Sequence, residues 1–204
     1  MTKNAEGLTA IGKLILQFAR VDRVVWHEDG TTPESDTDHT VMVAVCACAL
    51  AQELYNDVLD IGLVAQFAIV HDLVEAYAGD TDTFGKNSEE IKNKKEREHN
   101  AFLRIQNEFN AVYPWLPEMI ERYERFDTKE ARFVKSVDKL MTKITHILNK
   151  GAYFKGRGLS KEQMWSDYQS ATRDAEIKYA QEFPEIIDLI DEMIVEARIK
   201  TYGS

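Results

Sequence analysis

Residues 61–77, IGLVAQFAIVHDLVEAY, decide how this chain is to be understood. The first ten are almost all apolar, and Asp60 stands in front of them as a ready N-cap. Such a run is too long for an ordinary strand and predicts a helix that is buried on most sides. Into that helix the sequence sets His71, Asp72 and Glu75. Side chains three and four positions apart share a helix face, so the three project toward one side. An ionised carboxylate is costly to bury unless it is paired or bound to a metal. A His-Asp-x-x-Glu cluster in an apolar helix therefore points to chemistry more than to core packing.

Working outward, the pattern is helical nearly throughout. Leu8, Ile11, Leu14, Ile15 and Phe18 recur at helical spacing and predict a first amphipathic helix. Residues 24–38 break the pattern with Gly30, Pro33 and several Thr, Ser and Asp residues, as a long loop of the kind that is often functional. Residues 40–55 are nearly all apolar and predict a helix buried on most sides. A polar loop follows at 78–83, with Gly79 suited to a left-handed position after a helix. Ser88 starts a helix that is charged to Glu98 and then buries Phe102, Ile105, Phe109 and Val112, until Pro114 and Pro117 break it. A short helix is expected at 119–126. A longer one covers 129–150, with Phe133, Val137, Leu140, Met141, Ile144 and Leu148 as its stripe. Gly151, Gly156 and Gly158 read as a flexible connection to two last helices at 160–183 and 184–200, Pro184 fitting a first turn. Period-two alternation is scarce and no hairpin turn signal appears. The expected fold class is all-α: one domain over 1–204, a compact bundle of seven or eight helices.

Composition excludes several classes. With 44% hydrophobic and 29% charged residues the chain resembles an ordinary soluble globular protein. No run of eighteen apolar residues and no apolar signal core at the N-terminus appear, so no membrane partner is expected and the cytoplasm is the default location. Cys46 and Cys48 lie two apart, about 200° around a helix, and so cannot pair or share a metal; both read as buried free thiols. The net charge of −10 comes without a basic run, since Asn93 and Glu96 interrupt 92–97, which argues against a nucleic-acid polymer. A small anion remains a candidate substrate if a metal and a local arginine neutralise it.

Three further residues can complete a site. His39 stands at the loop-to-helix boundary behind Glu34-Ser35 and Asp38, Asp80 lies in the polar loop, and Asp138 interrupts the apolar stripe between Val137 and Leu140. Each alone is unremarkable. In order, His39 … His71-Asp72 … Asp138 resembles the metal-binding signature of the HD-domain phosphohydrolase superfamily. Residues 33–39, PESDTDH, resemble the Glu-Ser-x-x-(Asp/Glu)-His stretch of its 5′-deoxyribonucleotidase branch. Residues 71–81, HDLVEAYAGDT, resemble that branch's His-Asp-x-x-Glu-x-x-x-Gly-Asp run, and 23–26, RVVW, its Arg-x-x-Trp element. The resemblance covers roughly the first two thirds of the chain. Residues 25–32 and 81–86 depart from the branch's pattern, and the first of these should line the nucleotide pocket.

The resemblance implies an all-helical fold with His39, His71, Asp72 and Asp138 as ligands of one divalent metal ion. Two imidazoles and two carboxylates leave about two positions open on a six-coordinate ion. Mixed N and O donors suit Mn²⁺, Co²⁺, Fe²⁺ or Ni²⁺ better than Mg²⁺. By the same likeness Glu75 acts in proton transfer, and Asp80 orients the water or the sugar hydroxyl. Arg23 clamps phosphate bidentately, and Trp26 packs on the sugar and disfavours a ribose 2′-hydroxyl. The bland alternatives are an Arg23 paired with Asp22 or Glu28 at the surface, a Trp26 that only anchors a helix end, and a Glu34 that only closes its loop. His27, His99 and His146 need no role. The implied activity is removal of phosphate from deoxynucleoside 5′-monophosphates, small nucleotides being the partner and a homodimer a common assembly. A dNTP triphosphohydrolase would need more cationic residues than Arg23, Lys86 and Lys139. A di-iron oxygenase would need histidines beyond His99. A non-catalytic nucleotide-binding regulatory domain is the remaining alternative.

Overall fold

A computed structural model describes residues 1–81 and 88–203. Its helices are α1 (Lys3–Phe18), α2 (Asp36–Leu54), α3 (Ile61–Val70), α4 (Glu75–Ala78), α5 (Ser88–Phe109), α6 (Trp115–Glu124), α7 (Lys129–Leu148), α8 (Ala152–Gly156), α9 (Lys161–Asp167), α10 (Arg173–Ile177) and α11 (Pro184–Tyr202). A π-helical turn, Tyr168–Thr172, joins α9 to α10, and strands β1 (Asp22–Trp26) and β2 (Pro33–Ser35) separate α1 from α2. The fold is all-α, as the periodicity predicts, with eight helices of seven residues or more among the described residues.

The organising element is α7. Its apolar face, with Phe133, Val137, Leu140 and Met141 buried, packs against α11, α2 and α3. Each such side chain contributes about 1.5–3 kcal/mol by leaving water. Leu148, at the end of the expected stripe, is exposed because the partner helices no longer cover it. The opposite face carries Lys135, Asp138, Lys139, Thr142, Lys143 and His146, spaced 3-1-3-1-3, and this face borders a cleft. A smaller cluster of Val25, Tyr153, Phe154, Met164, Tyr168 and Ile194 closes one end of that cleft.

Several expectations are corrected. The loop at 24–38 contains an antiparallel ribbon pairing Asp22 with Ser35 and Trp26 with Pro33. Its turn carries an Asp29-Gly30 hairpin dipeptide that the sequence reading passed over, with Gly30 at φ +71° and the Asp29 carboxylate accepting from the Thr31 and Thr32 amides, both at 2.8 Å. Helix α2 is not buried on most sides: Val43, Ala47 and Ala51 face the core while Val41 and Val45 are 58% and 64% exposed. An all-apolar run hides which face is buried. Cys46 and Cys48 are free but only half buried, on the flanks of that face. Pro117 does not break a helix; it sits in the first turn of α6, where its missing N–H has no partner to lose. Residues after Gly151 form α8 rather than a flexible connection. Residues 18 long from Ile61 to Ala78 do reach a mean hydropathy of 1.3, enough by length and composition to cross a membrane. The stretch is half buried inside the fold, and it breaks in the middle.

That break matters most. The 61–77 helix ends at Val70, and tight i→i+3 bonds follow, from Leu73 N to Val70 O at 3.1 Å and from Glu75 N to Asp72 O at 2.8 Å. Asp60 caps α3 as expected, accepting from the Leu63 amide at 3.1 Å. In such 3₁₀-like turns positions i and i+3 eclipse, which keeps Asp72 and Glu75 on the same side although the helix is interrupted. Gly79 has φ +74° but an extended ψ of 151°, so it reverses the chain out of α4 without a left-handed cap.

Candidate metal centre

Local structure fixes each candidate ligand. Ser35 and Asp38 form a capping box at the start of α2: the Ser35 hydroxyl accepts from the Asp38 amide and the Asp38 carboxylate from the Ser35 amide. Such caps contribute about 1 kcal/mol and set where the helix begins. His39 therefore leaves α2 within its first turns and points inward, 1% exposed. His71 and Asp72 come from the turn after α3, and Asp138 from the polar face of α7. One ligand atom from each of His39, His71, Asp72 and Asp138 lies within 4.8 Å of the others.

The donor set fits a cation. His71 Nδ1 donates to the Ala68 carbonyl at 2.8 Å, which in the neutral ring leaves the lone pair on Nε2. That buried Nε2 has no hydrogen-bond partner, although Asp72 Oδ2 lies 3.1 Å away. Two acceptors that close repel each other unless a positive centre is shared between them. On the other imidazole, Nδ1 faces Glu34 Oε1 at 3.5 Å and Nε2 faces Asp138 Oδ1 at 3.0 Å. Burial lowers the His39 pKa, but the hydrogen bonds its ring donates to Asp138 and Glu34 outweigh it and raise the net value. A divalent ion held there would compete with that proton for the imidazole. The cluster thus suits a divalent metal ion, with Glu34 orienting His39 and the Ala68 carbonyl orienting His71 in the manner of outer-shell partners.

Around the ligands, charge is densely paired. Lys135 and Lys139 reach Asp138 Oδ2 at 2.9 and 3.2 Å. Burial alone would raise the Asp138 carboxyl, but these lysines and His39 hold it well below the usual carboxylate range. Arg23 is gripped by Glu34 at 3.3 Å, Asp36 at 3.4 Å and Asp72 at 3.5 Å. The surface pairing of Arg23 with Asp22 or Glu28 is thereby replaced by a buried one. Glu34 is also more than a loop closer: it accepts from Thr145 Oγ1 at 3.0 Å while touching Arg23 and His39. Glu75 lies 3.2 Å from Lys94 of α5. Burial, then Asp72, push its carboxyl up to about 10, with Lys94 pulling the other way.

The cluster opens onto a cleft of about 800 Å³, bordered by Arg23, Asp72, Glu75, Asp80 and Asp138. Of the expected site residues, Trp26, His39 and His71 are not among its described lining residues; the two histidines are buried, at 1% and 3% exposure. The Trp26 ring packs on the small cluster around Val25, and its carbonyl accepts from Asn149 at 2.7 Å. Of the loop 25–32, expected to line the pocket, only Val25 reaches it, because the Asp29 turn folds the rest away. Lys86 lies outside the described residues. Sequence reasoning missed Asp36 and Lys94 as neighbours of the candidate ligands. Asp36 stands three residues from His39, a helical spacing that could have found it. Lys94 is brought in by tertiary packing alone.

An all-helical bundle whose α2, post-α3 turn and α7 converge on His39, His71-Asp72 and Asp138 defines a class. The chain belongs to the HD domain family, whose profile matches residues 17–179. Among its relatives, 5'-deoxynucleotidase HDDC2 of Xenopus laevis is 35% identical over 130 residues, 62% of this chain and 61% of the frog protein. The Homo sapiens protein of that name is 31% identical over 136 residues, 66% of this chain and 64% of its own length. The chain thus spans a little under two thirds of the length of the curated relatives it matches. A "predicted metal-dependent phosphohydrolase" of Magnetospirillum magnetotacticum MS-1 shares the fold at a TM-score of 0.70 and 21% identity, covering 97% of this chain and 98% of that one. A conserved hypothetical protein of Pyrococcus furiosus aligns with a TM-score of 0.57 and 27% identity, over 88% and 98% of the two chains.

Proposed function

We propose that this chain, acting as one domain over 1–204, is a metal-dependent phosphohydrolase that removes phosphate from deoxynucleoside 5′-monophosphates. The observation that carries the proposal is the convergence of His39, His71, Asp72 and Asp138, candidate ligand atoms within 4.8 Å of one another, with Asp72 and Asp138 bordering the cleft. The relatives named 5'-deoxynucleotidase supply the substrate class. A divalent ion held by those four residues would supply Lewis-acid polarisation of the phosphoryl group and a water of lowered pKa. Arg23 binds phosphate oxygens, its guanidinium already aimed by three carboxylates. Glu75 exchanges a proton with the attacking water or the leaving oxygen, with Lys94 holding its carboxyl in position. Asp80, at the edge of the cleft, orients the water or the sugar hydroxyl.

A triphosphohydrolase is ranked second on a specific ground. The cleft is bordered by Lys94, Lys135, Lys139 and Lys143, more cations than the sequence suggests. Each, however, is paired with a carboxylate: Lys94 with Glu75, Lys135 and Lys139 with Asp138, Lys143 with Glu176. A nucleotide panel with Mn²⁺ or Co²⁺, with the released anion identified by ion chromatography, separates the two. Inorganic phosphate from deoxynucleoside monophosphates is expected. Triphosphate from a dNTP, with no phosphate from monophosphates, would overturn the proposal.

A further inference from the structure

The cleft continues beyond the metal ligands. It follows the polar face of α7 from Asp138 through Thr142 and Lys143 to His146, about 12 Å of helix. There it ends against Tyr153 and Phe154 of α8 and Tyr168 of the π-helical turn. We propose that this far end is a binding subsite for the heteroaromatic base of the nucleotide, with His146, Tyr168 and Glu176 orienting its ring. The proposal rests on the nucleotide reading above and names the part of the site that holds what the phosphate carries.

Three observations support it independently. First, three lining residues carry a buried polar atom with no hydrogen-bond partner: His146 Nδ1, Tyr168 Oη and Glu176 Oε2. Their residues are 8%, 5% and 8% exposed. Unsatisfied buried polar atoms are uncommon in folded proteins, and three in one wall call for a partner. Their chemistry selects that partner. A carboxylate oxygen repels phosphate but accepts from the ring or exocyclic N–H of a base, while a hydroxyl and an imidazole serve its acceptors.

Second, the same wall is aromatic. The His146 ring lies 4.4 Å from that of Phe154, which meets Tyr153 edge-on at 5.5 Å and 77°. Flat faces of this kind hold bases by stacking with little regard to charge. The ion pair of Lys143 with Glu176 here cancels itself. Burial first, and Lys143 next, drive the His146 pKa down to about 3, so its imidazole is neutral. The metal end is dense in charge, while the far end, apart from the Lys143–Glu176 pair and Asp167, is lined by rings and neutral groups, the polarity of a nucleoside monophosphate laid along α7.

Third, Tyr168 is presented by a π-helical turn. Such turns are rare, and they concentrate at functional sites. Here the turn carries Tyr168, Ser170 and Thr172 to the cleft.

The test uses the full chain and ligands that lack phosphate. Binding of deoxyadenosine and deoxycytidine is measured by calorimetry for the parent, Tyr168→Phe and His146→Phe. Tyr168→Phe removes a hydroxyl that has no partner, so it leaves the fold intact, and melting temperatures verify this for both variants. Nucleosides are expected to bind the parent and to bind each variant about five- to tenfold more weakly, the loss of one or two neutral hydrogen bonds. The preference for a deoxynucleoside monophosphate over 2-deoxyribose 5-phosphate in phosphate release should shrink by the same factor. Nucleosides that fail to bind the parent, or that bind both folded variants equally well, would overturn the subsite. Nucleoside binding that weakens as expected in a chain that hydrolyses no monophosphate would sink the hydrolase reading while leaving the subsite standing.

Discussion

The two ends of the cleft are built on opposite physical plans, although one face of α7 serves both. At the metal end each side chain is fixed by a charged or carbonyl neighbour, even where one of its atoms, such as His71 Nε2 or Glu75 Oε2, has no hydrogen-bond partner: His39 by Glu34, His71 by the Ala68 carbonyl, Asp138 by Lys135 and Lys139, Glu75 by Lys94. At the other end the wall is made of rings, a self-cancelling ion pair, and three polar atoms without partners. Paired charge fixes geometry in advance, which is what a metal and a reacting phosphoryl group require. A dry aromatic wall with free hydrogen-bonding atoms chooses among ligands by shape and edge chemistry. The difference assigns chemistry to one end and selection to the other.

That contrast can be broken most forcefully through Glu34, which touches His39, Arg23 and Thr145 without being a ligand. Glu34→Ala should weaken Mn²⁺ binding by about 10–100-fold, the usual loss when an outer-shell partner is removed. Titration of the stripped protein reads this directly, and an affinity equal to that of the parent would mean the metal end is not preorganised by pairing.

A smaller effect sharpens the other end. His146 is buried with its pKa depressed to about 3, through burial and Lys143, with Glu34 acting in the opposite sense. Its ordinary value is 6.5, so the unfolded chain takes up this proton first as pH falls. The stability linked to the neutral ring is therefore complete above 6.5 and is lost progressively toward 3. Replacing His146 by Phe should flatten that part of the acid limb in melting temperature against pH, relative to the parent. A limb of unchanged slope would show that the ring is not held neutral by the aromatic wall.

The cluster of candidate ligands was legible in the sequence because its members are local signals. His71-Asp72 sit in an apolar run, His39 follows a capping box, and Asp138 interrupts an apolar stripe. Helix α3 was legible for the same reason, its apolar run and the Asp60 cap agreeing. The break after Val70 was not, since it depends on tight turns and a side chain-to-carbonyl bond that periodicity does not register. The β1–β2 ribbon has a turn signal in Asp29-Gly30, but its short flanks lack the period-two alternation that would support it. The polar face of α7 obeys the same 3.6-residue period as its apolar stripe, so Lys135, Lys143 and His146 were visible in principle. What gives them meaning is the approach of α8 and the π-helical turn, and that comes only from tertiary packing.

The central claim is the ligand quartet, and metal content tests it most directly. Parent, His71→Ala and Asp138→Ala chains are stripped, equilibrated with Mn²⁺, and their bound metal is counted alongside melting temperature to verify folding. One ion per parent chain is expected, with both variants weakened beyond the roughly 10–100-fold that outer-shell losses cause. Folded His71→Ala and Asp138→Ala chains that bind Mn²⁺ as tightly as the parent would contradict the assignment.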